Sequence, residues 1–210
     1  MYLPNHFAES RPEEIRAFID AHPLGALVVN GSSGLDANHI PFLADWTTGG
    51  AGTLLAHVAR ANTVWQEVPS GSKVLVIFQT AGAYISPSWY PSKQETHQQV
   101  PTWNYQAVHV HGTLVVHDDA KFVRGVVGRL TREHETRAGT QPPWKMSDAP
   151  PDFIERMIGA IVGIEIQIDH IVGKWKLGQN RSERDRLSAA DALDVHGGGD
   201  TADAMRKVTP

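Results

Sequence analysis

The stretch Ile161 to Ile171, IVGIEIQIDHI, sets Ile164, Ile166 and Ile168 in strict alternation with Glu165, Gln167 and Asp169. Successive side chains of an extended chain point to opposite faces, so this period of two is the mark of a half-buried strand. Several other runs fit beside it. Leu24 to Val29 (LGALVV) is a short apolar run of strand length, and Asn30-Gly-Ser-Ser-Gly34 supplies turn residues before Leu35 to Leu43 returns, which is a hairpin signal. Thr53 to Val58 follows the Gly-rich turn Thr47 to Gly52, Lys73 to Thr80 (KVLVIFQT) is the clearest strand, and Val108 to His117 is another, with Gly112 marking a bulge or a close backbone approach. Strands joined in this way, with few helices between them, predict an antiparallel sheet or barrel rather than βαβ units.

Helices take the periphery. Ser10-Arg-Pro-Glu13 has the form of a capping box before a helix over Arg11 to Ala21, and Ala59 to Val68 is a second short candidate. Phe122, Val126, Val127 and Leu130 make an apolar stripe over Asp118 to Thr136, and further helices are expected over Asp152 to Gly159 and Arg181 to Leu193. With 210 residues, 41 % hydrophobic and 20 % charged, the expectation is one domain over 1–190 with a C-terminal helical appendage, and a frayed tail over 191–210.

Composition removes several functions. A net charge of −4 gives no field for a polyanion, so DNA as a partner is unsupported by the sequence. The chain has no cysteine, hence no disulfide, thiolate metal site or Cys nucleophile, and a cytoplasmic location is expected. No run approaches 18 apolar residues, so no membrane partner is expected. His109-x-His111 puts two imidazoles on one strand face, but no carboxylate or HExxH pattern completes a metal site, and no metal is expected. No G-x-S-x-G elbow, G-x-G-x-x-G or Walker A loop is present.

Four places hold chemistry. Arg60 and Asn62, in His57-Val-Ala-Arg-Ala-Asn62, stand where a strand hands over to a short helix, which suits a phosphate monoester; a solvated Arg beside a capping Asn fits the spacing equally. Asn38 and His39 bring polar side chains into an apolar strand. Trp175 sits between Lys174 and Lys176, ahead of Gln179 and Asn180. Finally, Ala83 to Val116 carries Tyr84, Trp89, Tyr90, Trp103 and Tyr105, rings that need cover from the core, a second subunit or a flat ligand.

Taken together, MYLPNHF, LDANHIPFL, LLAHVARAN, YISPSWYPSK, VPTWNY, IVGIEIQI and GKWKLGQNR resemble the PaiB-type FMN-binding proteins, a family described as negative transcriptional regulators. The resemblance covers nearly everything before about residue 190 and departs at Thr80-Ala81, where the family tends to have glycine. It implies a mainly β fold with peripheral helices, an FMN-binding split β-barrel, and a homodimer with FMN at the subunit interface. On this chain it implies Arg60 and Asn62 at the FMN phosphate with His57 nearby, and Asn38 and His39 along the flavin. It implies Trp103, Asn104, Tyr105, Lys174, Trp175, Gln179 and Asn180 at the ring side, with Lys174 or Lys176 stabilising the reduced flavin. Tyr84 to Lys93 would then be dimer contact and loop scaffold. An FMN-dependent oxidoreductase on the same scaffold is the alternative, and direct DNA binding would rest on Arg181, Arg184 and Arg186.

Overall fold

The computed structural model describes residues 1–32 and 34–208. Its elements are β1 (Ala8–Glu9), α1 (Pro12–Ala21), β2 (Leu24–Gly31), β3 (Gly34–Pro41), β4 (Leu43–Asp45), β5 (Thr53–Ala59), α2 (Val64–Glu67), β6 (Lys73–Gln79), β7 (Ala83–Ile85), α3 (Ser92–Thr96), β8 (Thr102–His117), α4 (Ala120–Ala138), α5 (Pro151–Gly159), β9 (Ile161–Lys176), α6 (Glu183–Val195) and α7 (Gly199–Lys207). Ser33, in the expected hairpin turn, and Thr209 and Pro210 of the expected tail lie outside the described residues. The strand order is β3-β2-β6-β8-β9-β5-β4, with β2 antiparallel to both β3 and β6, and β5 antiparallel to both β4 and β9. The chain divides into two compact units, Ile19–Phe78 with Val110–Ile171, and Met1–Phe18 with Gln79–His109 and Val172–Pro210.

The first of these holds most of the sheet. Along β9 the alternation of the sequence becomes one of burial, with Val162, Ile164, Ile166 and Ile168 inside, and Leu27, Val29, Leu54, Ala56, Val58, Val74 and Val76 join them from the other strands. Each buried Val, Leu or Ile among them contributes roughly 1.5–3 kcal/mol of transfer free energy. Gly112 is a close approach, since a Cβ there would stand 2.6 Å from the Gln167 carbonyl oxygen. Helix α4 starts on an Asp119 cap, whose carboxylate accepts from the Lys121 and Phe122 N–H groups at 2.9 and 3.4 Å. Its Val126 and Leu130 pack on Leu55, while Val123 meets Ile154 and Ile158 of α5. Phe122 and Val127 of the expected stripe are only half-buried. Phe122 lies under His117 with ring centroids 3.7 Å apart at 11°, and the same imidazole meets Glu165 at 2.9 Å. The expected helix over Ala59 to Val68 shrinks to the single turn of α2, because Asn62 accepts the Val64 N–H at 2.9 Å and so fixes the start there.

The second unit is built from pieces distant in sequence. β1 pairs with the end of β9 (Ala8↔Lys174) and β7 pairs with the start of β8 (Ala83↔Asn104). Both long strands thus run further than their apolar patterns suggest, because polar and aromatic residues also sustain a ladder when the backbone finds a partner. Tyr90 is buried in the chain's own unit, with the Arg181 guanidinium 5.3 Å from its ring centre, and Trp89 lies 5.2 Å from His196. Tyr90 and Trp89 are thus covered by residues flanking α6, while Tyr84 and Trp103 remain exposed. Asp185 of α6 accepts from the Ser92 N–H and hydroxyl at 3.0 and 2.7 Å. Of the residues expected to fray, 191–195 complete α6 and 199–207 form α7: Ala202 and Met205 are buried, and the buried Arg186 donates to the Met205 carbonyl.

Candidate functional site

Arg60 follows the last residue of β5, and its guanidinium finds its partners within the protein. Nη1 and Nη2 grip Asp118 at 3.0 and 2.5 Å, Nε donates to the Gly159 carbonyl at 2.8 Å, and Nη2 also reaches the Ile161 carbonyl at 3.3 Å. This hydrogen-bonded pair holds the Asp118 carboxyl below the usual aspartate range. Asn62 is as fully engaged, its Oδ1 capping α2 and its Nδ2 donating to Asn38 Oδ1 at 2.7 Å, while Asn38 Nδ2 donates to Asp36 at 3.0 Å. The next residue of β3, His39, points the other way and is exposed. His57 differs from these. Its Nδ1 is buried without a partner among the described residues, and burial pushes its pKa down, so the ring is neutral at pH 7.

The other seven predicted residues fall in the second unit. Asn104 is 1 % exposed, and its amide Nδ2 has no acceptor among the described residues. A Cβ on the neighbouring Gly178, at φ +89°, would touch both the Arg186 side chain at 3.5 Å and this Nδ2 at 3.8 Å. Lys174 is buried, donates to the Tyr2 carbonyl at 3.1 Å and has its ammonium 5.5 Å from the Tyr105 ring centre. Lys176 donates to the Thr102 hydroxyl and the Trp103 carbonyl. Burial, then the charges of Lys174 and Arg181, lower its pKa. No described carboxylate lies within ion-pairing distance of either lysine. Trp175 is buried against Phe18 at 5.0 Å, and Gln179 folds back, accepting from the Leu177 N–H at 2.8 Å and donating to the Trp175 carbonyl at 2.6 Å. Asn180 is exposed, as is Trp103, at 57 % and 6.2 Å from the Tyr84 ring. The cluster is rich in donors and poor in anions, which suits the acceptor edge of a ligand.

Two features escaped the sequence. Asp118 and Asp119 stand together ahead of α4, yet only Asp119 caps the helix and Asp118 takes Arg60. A tandem carboxylate where one cap suffices was the available signal. Thr102, which anchors Lys176, gave none. The three arginines considered for DNA are engaged elsewhere: Arg181 with Gln99 at 2.7 Å, Arg184 with Glu95 at 2.6 Å, and Arg186 inside the unit. Among the described residues no cluster of three or more His, Cys, Asp or Glu could hold a metal ion, and no helix is long and apolar enough to cross a membrane.

A family profile described as "Putative FMN-binding domain" matches residues 1–170. The chain is 31 % identical over 193 residues to the "Protease synthase and sporulation protein PAI 2" of Bacillus subtilis, covering 92 % of this chain and 89 % of that protein. It is 35 % identical over 156 residues to an uncharacterised protein of Saccharomyces cerevisiae, covering 65 % of this chain and 92 % of the other. Among solved structures it is similar to a flavocytochrome of Azotobacter vinelandii (TM-score 0.55, 14 % identity, 84 % of this chain and 73 % of that one). It is also similar to an FAD and heme binding protein of Mycobacterium smegmatis (TM-score 0.56, 16 % identity, 80 % and 72 %). The fold is the expected one, a mainly β split barrel with peripheral helices, and the cofactor is FMN. The buried, partnerless amide of Asn104 fits a cofactor of this kind, since a polar ring edge would satisfy it.

Proposed function

The chain belongs to the FMN-binding domain family, and we propose that it works as a homodimer that holds FMN at the subunit interface, as a PaiB-type regulator in the cytoplasm. The observation that carries the assignment of residues is the Asn104 amide, a buried donor with no acceptor, in a cluster that also holds two lysines without carboxylate partners. A buried donor left unpaired costs about 1–3 kcal/mol, a cost that a carbonyl oxygen of the flavin would remove. FMN supplies a redox-active ring and a phosphate dianion. Asn104 would orient the ring by its amide, Lys174 and Lys176 would place positive charge against its acceptor edge, and Trp103 and Tyr105 would bound its faces. Lys176 is steered by Thr102, which turns its ammonium toward the Trp103 backbone. His57, Asn38 and His39 would line the cofactor, and Arg60 and Asn62 would receive the phosphate.

Arg60 can take a phosphate only by releasing Asp118. Both carboxylate and phosphate suit its planar fork, and the phosphate carries more charge. The regulatory role follows the naming of PaiB-type relatives, and α6 gives it no free basic face, so an indirect effect on transcription is the form proposed. Purified protein reconstituted with FMN should show a flavin absorbance spectrum at two flavins per particle of dimer mass by light scattering. Protein that stays colourless after reconstitution, or a flavin-loaded monomer, would refute the cofactor and the dimer readings respectively.

A further inference from the structure

A cavity of about 400 Å³ opens between the C-terminal half of α4 and residues 143–147. None of the residues assigned to the flavin lines it. Its volume falls in the range of small-molecule sites, roughly 300–1,000 Å³. Trp144 forms one wall and is 43 % exposed, which leaves much of a large aromatic side chain open to a guest. Met146 forms the floor against Gly128: a Cβ at that glycine would come within 3.3 Å of the Met146 methyl, so its absence lets the thioether lie flat on the helix. A flat ring and a polarisable sulfur together suit a planar apolar guest.

The charges make the choice narrower. Arg132 and Lys145 both line the cavity, and neither the Arg132 guanidinium nor the Lys145 ammonium forms an ion pair among the described residues, although the Lys145 backbone N–H donates to Asp148 at 2.9 Å. The cavity holds one carboxylate, Glu135, and it accepts the Trp144 N–H at 2.9 Å, so it braces the tryptophan wall. Two cations against one anion leave the lining with a single net positive charge. We propose that this cavity binds a flat aromatic monocarboxylate, its ring against Trp144 and Met146 and its carboxylate between Arg132 and Lys145.

The test uses 2-naphthoate as the anionic probe and 2-naphthalenemethanol as its neutral counterpart, titrated into the whole chain by calorimetry. Naphthoate should bind saturably at one site per chain and the alcohol more weakly. The double substitution R132Q/K145Q should weaken naphthoate about three- to tenfold and leave the alcohol unchanged, as expected for two partly exposed charge contacts. Trp144→Ala should weaken both, with far-UV circular dichroism showing that each variant is folded. Absence of saturable naphthoate binding, equal binding of acid and alcohol, or naphthoate binding indifferent to R132Q/K145Q would overturn the proposal.

Discussion

The two groups of residues assigned to the cofactor treat their hydrogen bonds in opposite ways. Around Arg60, Asn62 and Asn38, almost every polar atom is spent on the protein itself, on Asp118, a helix start, Asp36 or a carbonyl. Around Asn104, Lys174 and Lys176, a buried donor stands idle and two cations lack counter-charges. The ring-side cluster is thus organised in advance, and a ligand that fills it removes an existing cost. The phosphate-side cluster is organised around itself, so a ligand there must exchange one good set of contacts for another.

The largest test of this contrast is Asn104→Leu. FMN affinity, read by quenching of flavin fluorescence, should fall about ten- to a hundredfold, the cost of losing one buried hydrogen bond. The melting temperature of the FMN-free protein should hold or rise, because the substitution removes an unsatisfied donor. A fall in FMN-free stability would mean the amide has a structural partner, and the contrast would fail.

Next in size are the two ends of the Arg60 pair. Arg60→Ala should weaken FMN about tenfold, as for a charge-assisted contact. Asp118→Asn should strengthen it by about two- to fivefold, since the pair it dissolves is exposed and screened by water. If Arg60→Ala leaves affinity intact, Arg60 is only a clasp tying β5 to the carbonyls of Gly159 and Ile161. If both substitutions weaken binding, Asp118 positions Arg60 for the phosphate rather than competing with it.

The smallest effect belongs to His57, which sits among the satisfied residues yet keeps an idle nitrogen. Its pKa in the folded chain is below the ordinary 6.5, so the unfolded chain binds the extra proton first as pH falls. Stability should be full above pH 6.5 and decline below it toward the folded pKa. Thermal melts of His57→Gln should show a flatter dependence between about pH 7.5 and 5.5. An unchanged slope would assign the dependence to another group.

The sheet was legible because its evidence is local. Alternation along Ile161 to Ile168 and the apolar runs of β2 and β6 depend only on which face meets the core, and Gly112 is held to glycine by the Gln167 carbonyl as its place in a strand suggested. Extensions of β8 and β9, the helical α7 and the cover of Tyr90 were not legible, since each depends on a partner distant in sequence. The candidate residues were found through family resemblance. Spacing alone left Arg60 and Asn62 open between a phosphate site and a local cap. In the structure Asn62 is a cap and Arg60 is paired, so the two readings describe alternative partners for the same atoms.

The His117 imidazole lying 3.7 Å over Phe122 has a use of its own. Protons held above an aromatic face feel its ring current, so the carbon-bound protons of His117 should resonate upfield of those of a solvent-exposed histidine. That displaced signal would give magnetic resonance a marker of packing between β8 and the first turn of α4, free of any contribution from flavin colour or fluorescence.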